Sequence, residues 1–432
     1  MLSSKEKETI IALMHSQVLP ALGCTEPMAV ALCVAKSKEL LGFLPDKINV
    51  QLSANVLKNA MGVGIPGTGM VGLPIAIALG AIVGRSELGL EVLKDVDKDA
   101  LERGKSYISE DRISIGLKED ADDKLYIKVL CGSGGHEAEA VIKGSHNNFV
   151  YLRRDNDVLL NVSHTTAIVD NMLEVNLNLR KVYDFATETD IEELRFILDA
   201  KRMNEEAAED GLRENFGHRL GKTMCSPLGK GIMGDSIFSK ILSRTSCACD
   251  ARMAGAMIPV MSNSGSGNQG ICTTMPVVVF AEENHNTEEE TIRALIISNL
   301  TAIYIKQYLG TLSALCGCVV ASTGSSCGIT YLMGGNYEQI SFAVKNMIAN
   351  LTGMICDGAK PSCALKLTTG VSTAVMSAML AIQNKHVTSA EGIIDEDVDQ
   401  SIRNLIEIGR CGMDVTDKYV LNIMTTKRNN KS

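Results

Sequence analysis

The chain has no tryptophan, and aromatic residues make up only 4% of its 432 positions. Glycine, at 38, is plentiful, and helices built from small residues can approach one another closely. No Lys/Arg cluster or basic stripe is present, and the formal charge of −9 is spread along the chain. Nucleic acid is therefore not an expected partner. The longest apolar run read from the sequence, MVGLPIAIALGAIVG from Met70, falls short of the roughly 20 residues of a membrane span, and Pro and Gly break it. The first residues, MLSSKEKETIIALMHS, are charged and helically periodic and lack the apolar core of a signal peptide. A cytoplasmic protein with no membrane association is the expectation. Thiols stay reduced there, so the thirteen cysteines read as buried apolar residues, metal ligands or nucleophiles. HExxH and P-loop motifs are absent, and no lysine has a setting suited to a pyridoxal phosphate Schiff base.

What is present is a helical pattern interrupted by a strand-rich segment. The composition, 45% hydrophobic and 22% charged, is that of a globular protein long enough for two domains. Helices are expected to about Val18 and from Thr25, where Pro27 suits a first turn. Lys47–Ser53 alternates as a half-buried strand does. A Gly-rich loop and a small-residue helix to about Val83 follow, then a helix over roughly Ser86–Ile108. Five short alternating runs come next, RISIGLKE to DVLLNVS, separated by Asp, Gly and Asn, as in an antiparallel meander. Strongly periodic helical segments fill the remainder. The predicted fold is α+β: a helical domain of residues 1–45 and 164–432, with an inserted α+β domain of residues 46–163 whose sheet is mostly antiparallel.

Four segments can carry chemistry. Residues 311–370 hold Cys316, Cys318, Cys327, Cys356 and Cys363. Cys356 and Cys363 bracket a turn-rich loop, CDGAKPSC, that can aim two sulfurs at one point, and Cys316 can complete a three-thiolate site. C-x6-C is not a standard zinc or ferredoxin spacing, so spacing alone leaves buried small residues as the alternative. Cys318 and Cys327 fit a helical core. In GCTEP, Cys24 precedes a helix start, where unpaired N–H groups and the helix dipole favour a thiolate; a tight interhelical turn is the other reading. In MSNSGSGNQGICTTMP, the residues Ser262, Asn263, Ser264, Gly265, Ser266 and Asn268 form a run of donors before a helix, suited to a carboxylate. GVGIPGTGM has the G-x-G-x-x-G spacing from Gly62 to Gly67 but lacks the rest of the dinucleotide fingerprint, so it reads as a loop closing over the site. His146 in KGSHNNF sits at a turn that can face the cleft. His15, His164 and His218 read as structural or exposed.

The segments GCTEP, PGTGMVGLPIA, LSRTSCACDARMAGA, MSNSGSGNQGICTTMPVV, MICDGAKPSCALK and EGIIDEDVDQSIRNL together resemble the L-cysteine desulfidase family, itself similar to the L-serine dehydratase alpha subunit. The resemblance covers nearly the whole chain. It implies an oxygen-sensitive [4Fe–4S] lyase without pyridoxal phosphate that converts L-cysteine and water to pyruvate, ammonia and hydrogen sulfide. It also implies Cys316, Cys356 and Cys363 as cluster ligands and Cys24 as proton acceptor, with Cys318 a rival to Cys316. The partner implied is a small amino acid, and a homodimer is the expected assembly. L-serine dehydratase is the competing activity, and a non-catalytic metal-binding or sensor protein the competing class.

Overall fold

The computed structural model describes residues 2–119, 121, 123–162, 175–310 and 313–426. The 163/164 domain boundary and His164 lie outside the described residues. Two hydrophobic clusters organise the chain.

The smaller cluster is built on a six-stranded sheet. Its strands are β1 (Lys47–Leu52), β2 (Ile113–Leu117), β3 (Tyr126–Ser133), β4 (His136–Lys143), β5 (Phe149–Arg154) and β6 (Asp157–Asn161). They lie in the order β2-β1-β3-β4-β5-β6. The sheet is antiparallel except that β2 pairs parallel with β1, Ile48 opposite Ile113. The expected meander therefore begins only at β3, because a run of helices intervenes between β1 and β2 and returns the chain to the same end. Alternation sets the buried face: Ile48, Val50 and Leu52 face inward and pair with Cys131, Val129 and Ile127. These in turn pair with Ala138, Ala140 and Ile142. A one-residue slip would turn this set to solvent. The helix α2 (Thr25–Leu41) covers this face. Alanines at 138 and 140 leave room for it, and Ser37 Oγ donates to the Ala138 carbonyl at 2.8 Å. By packing, α2 thus goes with the sheet, although the sequence reading grouped it with the helical part.

Further helices complete this unit: α3 (Ala54–Ala60), α4 (Leu73–Ile82) and α5 (Lys98–Ser109). The expected single helix over Ser86–Ile108 is in fact a 3-10 turn, Ser86–Glu91, followed by α5. Gly89 at φ 56° breaks the run, and Asp97 caps α5 by accepting from Ala100 N–H at 2.8 Å.

The larger cluster is helical. The N-terminal α1 (Ser4–Gln17) joins α6 (Leu179–Glu188), α7 (Leu198–Arg213), α8 (Ile237–Met253), α9 (Gly267–Glu283), α10 (Glu288–Leu309), α11 (Gly317–Leu332), α12 (Tyr337–Leu351), α13 (Cys363–Ile382) and α14 (Val398–Glu407). The centre is α11, buried along nearly its whole length. Its glycines permit that: a Cβ on Gly324 would lie 2.2 Å from the Ser298 carbonyl oxygen, and one on Gly328 2.8 Å from that of Ala294. Its buried hydroxyls donate to carbonyls, Thr323 to Val319 at 2.9 Å and Ser326 to Ala374 at 3.0 Å, which removes the cost of burying them. The chain ends in α15 (Asp414–Thr426). Among the described residues, α13 is long and apolar enough to cross a membrane by length and composition, and half of its most apolar window is buried in the fold. The sequence reading had singled out only the run at Met70.

Candidate active site

A short antiparallel bridge, Leu315 opposite Ile355, brings the cysteine segments together. Cys316 N–H donates to the Met354 carbonyl at 2.9 Å, and Cys356 N–H to that of Ala314 at 2.7 Å. Cys316 is the N-cap of α11, and Cys363 is the first residue of α13. The loop between Cys356 and Cys363 is stapled by charge. Asp357 pairs with Lys360 at 2.6 Å and with Lys366, and Lys366 Nζ also donates to the Ile355 carbonyl at 2.8 Å. Gly358 is required there: its φ is +89°, and a Cβ would lie 2.1 Å from the Lys58 carbonyl oxygen.

Two further helix starts point at the same place. Cys24 is the N-cap of α2 and makes no side-chain capping bond. Ser266 is the N-cap of α9. Arg252, at the end of α8, ties these two together. It donates to the Gly23 carbonyl at 2.8 Å and to Asn268 Oδ1 at 3.0 Å. Its Nε is buried without a hydrogen-bond partner and lies where a Cβ on Gly267 would be, 2.2 Å away. Arg252, Leu315 and Gly358 line one cavity of about 120 Å3. Cys24, Cys316, Cys318, Cys356 and Cys363 face it, as do Ser264, Gly265, Ser266 and Asn268. Cys327 does not and sits in the core of α11.

Ser262 and Asn263 do not line this cavity, and Ser262 lines a wider one beside it. Ser262 Oγ donates to the Leu19 carbonyl at 2.6 Å, beside a two-residue ladder of Pro20–Ala21 with Val260–Met261. Asn263 is wholly buried and donates to Asn299 Oδ1 at 3.0 Å. Both build the loop, and their polar groups are consumed in doing so. The glycine loop also serves the site from behind: a Cβ on Gly64 would meet Ala254 at 2.3 Å, so this loop abuts the end of α8 that carries Arg252.

Four helix N-termini, those of α2, α9, α11 and α13, therefore open on one small space. Each carries unsatisfied N–H groups and the positive end of a helix dipole, so the space favours anions. The thiols respond differently. Cys316 is drawn down to about 7, chiefly because the Cys318 thiol donates to it, while burial opposes this. Burial pushes Cys363 up to about 12 and raises Cys356 as well. Burial also pushes Cys24 up to about 11, with Arg252 pulling the other way. Desolvation thus outweighs the lowering expected for Cys24 from its place at a helix start. Lys306, buried at the same cavity, is lowered to about 8 by burial, against the pull of Cys356 and Cys316. Among the described residues no three His, Cys, Asp or Glu side chains converge closely enough to hold a single metal ion.

The family model of the serine dehydratase alpha chain matches residues 87–422. This chain belongs to the serine dehydratase alpha chain family. A UPF0597 protein of Bacteroides thetaiotaomicron is 66% identical over 422 residues, 98% of each chain. A UPF0597 protein of Porphyromonas gingivalis is 51% identical over 433 residues, 99% of this chain and 100% of its own. Another, from Shewanella halifaxensis, is 45% identical over 422 residues, 95% of this chain and 96% of its own. Within this serine dehydratase-like chain the family match takes in the three cysteines and the serine loop, while Cys24 precedes it.

Sequence reasoning passed over Arg252, Gln269, Lys306 and Glu26, which also line the cavity. Arg252 and Lys306 are more than nine-tenths buried. Their signal was an unbroken apolar helix face carrying a charge, which a periodicity reading treats as an exposed position. Glu26 stood inside GCTEP, next to the residue that was singled out.

Proposed function

We propose that this chain is an iron–sulfur dependent L-cysteine desulfidase, a lyase that takes L-cysteine and water to pyruvate, ammonia and hydrogen sulfide. One observation carries the reading. Four cysteines from three segments, Cys24, Cys316, and the pair Cys356 and Cys363, open on one cavity together with the serine loop. The donor set fits a [4Fe–4S] cluster. Each thiolate of such a cluster binds its own iron, so the sulfurs stand around a volume and need not meet at a point. The helix N-termini offset the negative charge of thiolates brought together there. Cys316, Cys356 and Cys363 would hold it. When bound, a cluster with three protein thiolates keeps one iron open as a Lewis acid.

The remaining work falls to the chain. The first amides of α9, unsatisfied within the helix, and the free Nε of Arg252 receive the substrate carboxylate. Neutralising that carboxylate makes the Cα proton more acidic. Cys24 Sγ accepts this proton in its thiolate form, which Arg252 favours against the larger opposing effect of burial. The electron pair left at Cα forms the Cα=Cβ bond as the Cβ–S bond breaks, the departing HS− takes up a proton to become hydrogen sulfide, and water hydrolyses the resulting aminoacrylate to pyruvate and ammonia. The bound partner is a small amino acid, and the proposed assembly is a homodimer. The preference for L-cysteine rests on the motif resemblance. The family's description favours L-serine as the second reading, with hydroxide as leaving group and the same residues in the same roles.

Anaerobic reconstitution followed by parallel assays with the two amino acids tests this. Sulfide and pyruvate in equal amounts from L-cysteine are expected. Pyruvate from L-serine alone establishes the second reading. A colourless protein that holds zinc and turns over neither substrate refutes both and leaves a non-catalytic metal protein.

A further inference from the structure

This inference rests on the reading of the cavity as a site for a small L-amino acid. The α9 amides and Arg252 account for a carboxylate, and the cysteines face the β carbon's leaving group. The α-ammonium group still needs acceptors. Glu26 and His146 stand at the cavity, and both come from the sheet-bearing unit.

Glu26 lies in the first turn of α2. Asn59 Nδ2 donates to its Oε1 at 3.0 Å, and Thr25 Oγ1 to its Oε2 at 3.2 Å. A carboxylate offers about four lone-pair sites, so these bonds aim it and leave it able to accept more. His146 lies in the turn between β4 and β5, and its Nε2 is buried without a hydrogen-bond partner. Buried polar atoms rarely stay unpaired. It is the one histidine lining the cavity among the described residues. Burial lowers its basicity more than the nearby charge of Glu26 raises it, so the ring stays neutral. With its proton on Nδ1, Nε2 is an acceptor. His146 also lines a second, wider cavity of about 630 Å3, shared with Ser264, Gly265 and Lys306. It therefore stands where the outer space meets the inner one.

We propose that Glu26 and His146 form the subsite for the substrate's α-ammonium group, so that the cavity selects zwitterionic L-amino acids over des-amino acids of the same length. A ligand without the ammonium leaves a carboxylate and an imidazole nitrogen desolvated and unpaired, which is the basis of strong discrimination.

The test needs no turnover. L-alanine has no leaving group, and propionate is its des-amino counterpart. Calorimetric titration of each into the full chain, reconstituted without oxygen, reads the subsite directly. The wild type should bind L-alanine at least tenfold more tightly than propionate. Glu26→Gln and His146→Ala should each cut that ratio tenfold or more, with cluster absorbance unchanged and KM for L-cysteine raised more than kcat is lowered. An unchanged ratio in both variants overturns the proposal, as does a wild type that binds neither ligand. A wild type that prefers L-alanine but lyses neither L-cysteine nor L-serine leaves the subsite standing and removes the assigned reaction. Should Glu26→Gln fail to fold, His146→Ala on its surface turn decides.

Discussion

Asp417→Asn should loosen the C-terminal helix far more than removal of its charged partner does. Lys58 on α3 is among the most deeply buried side chains, 2% exposed, and pairs with Asp417 on α15, whose side chain is 19% exposed. Otherwise α15 is thinly attached: Leu421 is its one buried residue among those described, while Val415, Tyr419 and Ile423 are each more than 60% exposed. Asp417→Asn leaves an ammonium buried without a counter-charge. Breaking a buried pair from one side costs about 3–5 kcal/mol. Asp417 is partly solvated and water can enter as α15 lifts, so about 2 kcal/mol is expected, below that range. At 1.4 kcal/mol per tenfold, α15 should open about 30-fold more often. Lys58→Met keeps the stem's volume and removes the buried charge, leaving a carboxylate with access to water; about 1 kcal/mol or less is expected. The double variant should therefore be no worse than Lys58→Met, giving a coupling of roughly 2 kcal/mol. Amide hydrogen exchange over residues 414–426 of the full chain measures each opening. Wild-type exchange rates in Asp417→Asn, or a double variant as open as Asp417→Asn alone, would refute the reasoning.

Other outcomes follow from the site. Cys24→Ala should keep the cluster's absorbance and lose about 10²–10⁴ in kcat, the usual range for removing a general base; a colourless Cys24→Ala would make it a ligand. Cys316→Ser, Cys356→Ser and Cys363→Ser should each lose iron and labile sulfide on reconstitution, and Cys318→Ser should retain them. Gly358→Ala meets both a positive φ and the Lys58 carbonyl, so it should displace the loop between Cys356 and Cys363, seen as reduced iron content in a folded protein. Burial and a hydrogen bond with Glu282 raise Glu205 to about 7 from the ordinary 4.5. The native state therefore holds a proton that the unfolded chain releases between about pH 4.5 and 7, and stability falls as pH rises through that window. Glu205→Gln cannot ionise, so it should be more stable than wild type above pH 7, by about 1 kcal/mol, and equal to it below pH 4.5, as melting at the two pH values will show.

Much of the fold is legible in local pattern. Alternation in KINVQLS and the runs from KLYIKVLCG onward gives strands because every second residue must be buried on one face. Thr25 and Pro27 mark a helix start by local sterics and capping. The parallel partner of β1 and the packing of α2 on the sheet were not legible, since both depend on where a connection returns the chain. For the site, the motifs named Cys24, Cys316, Cys356, Cys363 and the serine loop, because reactive side chains and turn-forming glycines carry their chemistry in their identity. Whether these groups meet is a matter of tertiary structure. The bridge of Leu315 with Ile355, the seat of Gly358 on Lys58 and the reach of Arg252 to Gly23 and Asn268 join positions far apart in the chain. The same packing turned Ser262 and Asn263 away from the cavity and brought Glu26, His146 and Arg252 to it. Residue types and their order thus settle which chemistry is on offer, whereas long-range packing alone settles which groups share a cavity and how far burial shifts their charge.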